Sequence, residues 1–225
     1  MKIFKFNLFI LFFMSVTSFA HNSNQGGWLM YFSNTKLAES PFRIHFELQH
    51  RNHYLTNDLD QLLTRVGLQY NLNNQIIFTG GYGFIQSEKI GDWDFPKREN
   101  RLYQEALIPQ QIKAVRLQHR FRYEQRFIEN TDFKTRYRYS FSLTVPLLRI
   151  EQKDQKVFAN VYNEIFINGE KLSSTDTIFD RNRLYMGAGF KFNSKLSVQM
   201  GWMNQILSDY SQPKIMMSLH HNISL

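Results

Sequence analysis

The residues best suited to chemistry are arginines that recur within one stretch, Val115 to Phe127. Its polar side chains share one face at a period of two, and they are Arg116, Gln118, Arg120, Arg122, Glu124 and Arg126. Guanidinium groups stay charged and bind carboxylate or phosphate groups through paired hydrogen bonds. The stretch therefore predicts either a set of internal salt bridges or a binding surface for anions.

Further charged side chains fall on the matching face of other segments. Arg136 and Arg138 belong to the segment that follows, whereas Glu47, Arg51 and Glu164 lie in more distant ones. The full candidate set, here called the charge ladder, is Glu47, Arg51, Arg116, Arg120, Arg122, Glu124, Arg126, Arg136, Arg138 and Glu164. In the structural interpretation these residues brace a narrow lumen by salt bridges. In the functional interpretation they line an anion-selective pore or a solute-binding channel.

The segments that carry the charge ladder alternate apolar and polar residues. Phe42, Ile44 and Phe46 share one face, for example, whereas His45 and Glu47 share the other. At least nine segments show this pattern, joined by short turns such as 73–75 and 193–195 and by a long loop at 86–98. A polar face that is rich in arginine is typical of the lumen of a membrane barrel. We expect an all-β, antiparallel, up-and-down transmembrane β-barrel.

The number of strands follows from the same alternation. Eleven segments are candidates, but a barrel made by one bacterial chain normally has an even number of strands. The segment from Trp28 to Leu37 has the weakest pattern, so we expect it to lie outside the ring or to be one of two N-terminal crossings. The prediction is about ten strands, with twelve as the alternative.

The N-terminus has the features of a secretory signal peptide. Lys2 and Lys5 precede an apolar run from Leu8 to Met14, and small residues Ser18 and Ala20 precede the expected cleavage site. We expect residues 1–20 to be removed and residues 21–225 to form a single domain. The formal net charge of +8 then falls by the two lysines. The predicted location is the outer membrane of a gram-negative bacterium.

Composition narrows the class of protein. The chain has no cysteine, which excludes disulfides and thiolate metal sites, and no apolar run after the signal is long enough for a membrane helix. Aromatic residues make up 16% of the chain at a mean hydropathy of -0.41, as expected for a barrel with an aromatic outer face and a polar lumen. We expect a monomer in contact with outer-membrane lipid and lipopolysaccharide, with small anionic solutes as further partners, without nucleic acid and without a cofactor.

Catalytic motifs are absent from the sequence. There is no H-E-x-x-H, no G-x-S-x-G and no carboxylate loop with calcium spacing. His119 and His221 fall on apolar faces, which favours an interfacial position over catalysis, whereas His45 and His220 are predicted to point inward. A lipid-modifying enzyme with a serine and a histidine at the outer rim remains an alternative, and a structural or passive transport role is the leading hypothesis.

Several short motifs are spread over nearly the whole mature chain. They are Trp28, G-G-Y-G at 80–83, E-N-R at 99–101, H-R-F-R-Y-E-Q-R-F at 119–127, R-Y-R at 136–138, N-E at 163–164, N-R at 182–183 and G-W-M-N-Q at 201–205. In their order and spacing the chain resembles an uncharacterised family of outer-membrane barrel proteins of gram-negative bacteria. The resemblance implies a barrel and an outer-membrane location, and it transfers no catalytic residue.

Overall fold

The strands of the protein close into one barrel. The computed structural model describes residues 25–73, 75–150, 155–170 and 177–224, so the predicted signal peptide lies outside the described residues. The strands are β1 (Gly26–Lys36), β2 (Phe42–Asn52), β3 (Leu59–Leu72), β4 (Ile76–Lys89), β5 (Asp92–Ile112), β6 (Val115–Ile128), β7 (Lys134–Ile150), β8 (Gln155–Asn168), β9 (Phe179–Lys191), β10 (Leu196–Ile206) and β11 (Ser211–Ser224). Each pairs with its sequence neighbours, and β1 pairs with β11 to complete the ring.

The described residues form a ring of eleven strands, one more than the predicted ten and one fewer than the alternative of twelve. The segment from Trp28 to Leu37 does not lie outside the ring, because most of it is β1. It is also not one of two N-terminal crossings, since the described residues contain no strand before β1. This strand pairs antiparallel with β2 and parallel with β11, and the parallel ladder runs from Gly26 opposite Lys214 to Lys36 opposite Ser224. An odd number of up-and-down strands must contain one parallel pair, and here that pair is the closing seam.

The predicted alternation between the two faces of each strand is confirmed. In β6, Arg122 and Glu124 are buried inside the barrel, whereas Phe121 and Phe127 are exposed on its outside. Successive side chains of a strand point to opposite faces, so a period of two in polarity becomes a polar interior and an apolar exterior.

The predicted long loop at 86–98 is wrong. Residues up to Lys89 continue β4, β5 begins at Asp92, and the connection is the two-residue turn Ile90–Gly91. Gly91 has a φ of 71°, a left-handed conformation that glycine adopts without strain. The sequence pattern does not reveal these strand ends because residues 86–89 are all polar, and because Gly91 and Pro96 are typical of loops.

Glycines make room for large rings inside the barrel. A Cβ atom on Gly81 would lie 2.5 Å from the Tyr103 ring, which occupies the space above β4. Gly187 and Gly201 leave space for Tyr185 in the same way, since a Cβ on either would come within 2.7 Å of that side chain. The prediction that the small residues of β4 leave space for bulky neighbours is confirmed.

The interior divides into two regions. One, here called the aromatic–methionine region, is built by β1 and β8–β11 and contains Trp28, Met30, Tyr185, Met203 and Met216, with Phe32 and Tyr162 packed against them. The rings of Tyr162 and Tyr185 stack at a centroid distance of 4.8 Å. The other, here called the ion-pair region, is lined mainly by β2–β8 and contains most of the charge ladder.

Candidate site in the charged lumen

Glu124 of β6 is the centre of the ion-pair region, and its side chain has no solvent exposure. Arg136 donates from Nη2 to its Oε2 at 2.6 Å, and Arg138 donates from Nη1 to its Oε1 at 2.7 Å. Nη1 of Arg101 and Nη1 of Arg122 lie 3.5 and 3.8 Å from Oε1. One buried carboxylate is therefore surrounded by four guanidinium groups, which offset the cost of burying its charge.

Two more glutamates extend this network across the lumen. Glu164 of β8 accepts hydrogen bonds from Arg138 at 2.6 Å and from Arg120 at 2.5 Å. Glu105 of β5 lies 2.6 Å from Nη2 of Arg122 and 3.8 Å from Nε of Arg120. Arg120 thus connects β5 with β8, and the pairs span four consecutive strands.

The sequence prediction missed the charges of β5. Glu99 accepts from Arg126 at 2.8 Å and lies 2.6 Å from Nη2 of Arg101, and both Glu99 and Arg101 are buried. The outward residues Asn100 and Gln104 are polar as well, so hydrophobicity did not separate the two faces of this strand. The period-two spacing of charge in Glu99, Arg101 and Glu105 was the signal that could have identified them.

A separate ion pair joins β2 with β3, and a further ion pair joins β7 with β9. Glu47 stands opposite Arg65 in the β2–β3 register, and Nη1 of Arg65 donates to Oε2 at 2.9 Å. Gln49 also donates to the Glu47 carboxylate. Arg136 donates from Nη1 to Asp180 at 2.9 Å. Arg65 and Asp180 were not among the predicted site residues, although opposite charges on facing strands are favourable partners.

Two members of the charge ladder lie apart from this network. Arg116 is exposed near the beginning of β6, at the end of the barrel that carries the turn 113–114. Arg51 is buried, but it donates to the amide oxygens of Gln49 and Gln61 and lies 3.9 Å from the centre of the Trp28 ring. The other eight join the ion-pair region.

Two other buried cations resemble Arg51 in forming no ion pair within 4.0 Å among the described residues. Arg183 of β9 donates to Gln205 at 2.9 Å and lies over the rings of Trp28 and Phe166, at 4.9 and 4.7 Å. Lys214 of β11 is only 2% exposed. These contacts place a second concentration of positive charge beside the aromatic–methionine region.

Several buried polar atoms in the described part of the chain have no hydrogen-bond partner. Trp28 Nε1 is one of them, and the others inside the lumen include Tyr103 Oη, Thr79 Oγ1, Arg65 Nε and Arg122 Nη1. Such groups are uncommon in protein interiors because each forgoes the hydrogen bonds it makes in water. Most of these atoms are hydrogen-bond donors, so they add to the capacity of the lumen to receive an acceptor-rich anion.

Four histidines lie on the inner or outer strand face that the alternation predicts for them. His45 and His220 are inside, where the Phe32 ring stacks against both of them. His119 and His221 are on the outer face and contact the hydroxyl groups of Tyr139 and Tyr31 at 2.9 and 3.2 Å. In the described ranges, histidines and carboxylates form no group of three or more that could hold a metal ion.

The outer surface is largely apolar. Tyr137, Leu68 and Met186 are 53%, 52% and 48% exposed, and they belong to a belt of such side chains around the barrel. Aromatic pairs occur near both ends of the strands, with Phe42 against Tyr70 at one end and Phe127 against Phe133 at the other. Among the described residues there is no helix of the length and apolarity needed to cross a membrane.

Comparisons with known proteins identify relatives without an assigned role. The chain is 27% identical over 158 residues to an uncharacterized protein of Methylorubrum extorquens, an alignment that covers 66% of this chain and 64% of that relative. The match thus spans less than two thirds of the relative's length. No solved structure matches the chain. A family model described as "Protein of unknown function (DUF2490)" matches residues 25–215, so the chain belongs to that family.

Proposed function

We propose that this protein is an outer-membrane β-barrel of a gram-negative bacterium, exported with a cleaved signal peptide, whose lumen is closed by buried ion pairs. Its role is structural or one of restricted passive transport. The observation that carries the proposal is the inverted distribution of polarity. Glu124 has no exposure inside the barrel, whereas large apolar side chains are exposed outside it. Water favours the opposite arrangement, and lipid favours this one.

The two sets of outward aromatic pairs support the same proposal. Aromatic residues concentrate at the two interfaces of a bilayer, where their rings contact lipid and their polar edges reach water. The pair of Phe42 and Tyr70 and the pair of Phe127 and Phe133 lie near opposite ends of the barrel. Exposed apolar side chains lie between these two positions, as expected for two such interfaces with a lipid-facing belt between them.

The ion pairs support a closed lumen. Arg120, Arg138 and Glu164 bridge neighbouring strands at 2.5 to 2.6 Å, and Glu124 holds two more contacts across the same space. A path for solute would require these charged contacts to separate without replacement partners, at a cost of several kcal/mol for each buried pair. We therefore expect the barrel to conduct poorly.

Cell fractionation and heat-dependent gel mobility test the location. We expect the protein to sediment with outer membranes and to migrate faster before boiling than after it, because a folded barrel is compact. Recovery in the soluble periplasmic fraction would reject the proposal. A Ser18→Trp, Ala20→Trp variant, which blocks the predicted cleavage site, should retain the uncut precursor, whereas Ser15→Thr should be processed normally.

Planar bilayers test the closed lumen. We expect the wild-type protein to be almost silent, and Glu164→Gln to increase conductance because it releases Arg120 and Arg138 from their shared partner. Large, regular conductance steps from the wild-type protein would support the second candidate, an anion-selective pore. That candidate is favoured by the surplus of buried cations over carboxylates, which attracts anions.

A further inference from the structure

The charges buried inside the barrel do not balance. Among the described residues the buried carboxylates are Glu47, Glu99, Glu105, Glu124 and Glu164, and each makes an ion pair. The buried cations are Arg51, Arg65, Arg101, Arg122, Arg136, Arg138, Arg183 and Lys214. Arg65, Arg101, Arg122, Arg136 and Arg138 form ion pairs, and these five arginines equal the five carboxylates in number. Arg51, Arg183 and Lys214 are the surplus.

The three surplus cations lie around one tryptophan. Arg51 and Arg183 both lie over the Trp28 ring, at 3.9 and 4.9 Å from its centre. Lys214 stands opposite Gly26 in the β1–β11 register, two residues before Trp28. A Cβ atom on Gly26 would lie 2.5 Å from the Lys214 Nζ. The ammonium group is therefore at the same end of β1 as the two guanidinium groups.

The nearest carboxylates in the strand register do not neutralise this cluster. Glu164 is opposite Arg183, but it accepts hydrogen bonds from Arg120 and Arg138 instead. Asp60, at the same end of the barrel, lies 4.0 Å from His53, and it attracts Arg51 and Lys214 only from beyond 4.0 Å. No carboxylate oxygen of a described side chain lies within 4.0 Å of a charged nitrogen of Arg51, Arg183 or Lys214.

The cluster also retains donors. The contacts of Arg51 use Nε, Nη1 and Nη2 toward Gln49 and Gln61, and Arg183 donates from Nε to Gln205. Trp28 is 5% exposed, and its Nε1 has no hydrogen-bond partner. Amide oxygens and aromatic rings attract cations, but they carry no net negative charge. A buried cluster of like charges is strongly unfavourable unless an anion joins it.

We propose that Arg51, Arg183 and Lys214, together with Trp28 Nε1, form a binding site for a phosphate group inside the barrel. Three positive charges suit an anion with two negative charges, and guanidinium groups match the oxygen geometry of phosphate. The site lies near the connections 53–58 and 207–210, so the ligand enters from that end of the lumen. The inference depends on the barrel fold. It does not depend on a membrane location or on a closed lumen.

Thermal unfolding of the purified barrel in detergent tests the site. Inorganic phosphate is titrated at constant ionic strength, with chloride as the balancing anion, and heat-dependent gel mobility confirms that each sample is folded. We expect a saturable increase in the unfolding temperature and at least tenfold weaker phosphate binding by Arg183→Gln. Arg126→Gln is the matched control, because Arg126 pairs with Glu99, and it should bind phosphate as the wild type does.

Lys214→Met separates binding from folding. Removing an unpaired buried cation should raise the unfolding temperature in phosphate-free buffer and abolish the further increase with phosphate. Glycerol phosphate is compared with inorganic phosphate to distinguish an esterified ligand from the free anion. An equal phosphate response in wild type and Arg183→Gln, or an equal response to chloride, would overturn the site. A folded wild-type barrel with no phosphate response would also overturn it, while leaving the proposed function intact.

Discussion

The ion-pair region and the aromatic–methionine region fill the same lumen by different physical means. In the first, Glu124 and its arginine partners depend on distances of 2.6 to 2.7 Å and on opposite charge. In the second, Met203 and Tyr185 are buried by contact alone, and Tyr162 donates only weakly to the sulfur atoms of Met203 and Met216. Hydrogen bonds and ion pairs are directional, whereas dispersion contacts depend mainly on filled volume.

This difference predicts how each region tolerates substitution. A side chain of the same shape but without charge should damage the ion-pair region, because the cations that it leaves remain buried. A side chain of different shape but similar volume should be accepted in the aromatic–methionine region, because methionine packing is adaptable.

The largest effect is expected for Glu124→Gln. The change preserves shape but leaves Arg136 and Arg138 without the carboxylate that both contact, so the free energy of unfolding should fall by about 3 to 5 kcal/mol. Guanidinium chloride unfolding in detergent, followed by tryptophan fluorescence, measures it. Glu39→Gln is the control, since that glutamate is fully exposed and its loss should leave the unfolding midpoint nearly unchanged. Equal midpoints for the two variants would contradict the contrast.

Met203 provides the counterpart in the other region. Met203→Ala should cost about 2 to 5 kcal/mol, because the fully buried side chain leaves a cavity. Met203→Leu should cost less than about 1.5 kcal/mol, because it conserves volume. The same unfolding experiment measures both variants. A leucine variant as unstable as the alanine variant would mean that this region is as specific in geometry as the ion-pair region.

The smallest of the three effects tests the aromatic packing beside the ion pairs. Gly81→Ala places a methyl group 2.5 Å from the Tyr103 ring and should cost about 1 to 3 kcal/mol through overpacking. Gly80→Ala is the matched control, because it points outward into open space with nothing within 4 Å. A thermal melt of both variants measures the difference, and equal unfolding temperatures would show that Tyr103 moves aside at no cost.

Much of the charged site follows from period-two spacing. The inward positions of Arg122, Glu124 and Arg138 were predictable from their own strands, because alternation assigns a face to every residue. The partners of these residues on other strands were harder to predict from the sequence. Glu99 and Glu105 went unrecognised because polar residues occur on both faces of β5, so the contrast in hydrophobicity between its faces is weak.

The sequence by itself determined which side chains point inward and which point outward, because that property depends only on neighbours along a strand. The tertiary structure alone decided that Trp28 faces Arg51 and Arg183, and that β1 closes the ring against β11. These contacts join opposite ends of the chain, and they depend on the number of strands and the register at closure. Alternation along a strand specifies neither the number of strands nor the register at closure. The eleven-stranded ring and its unpaired cations could therefore be identified only in the closed barrel.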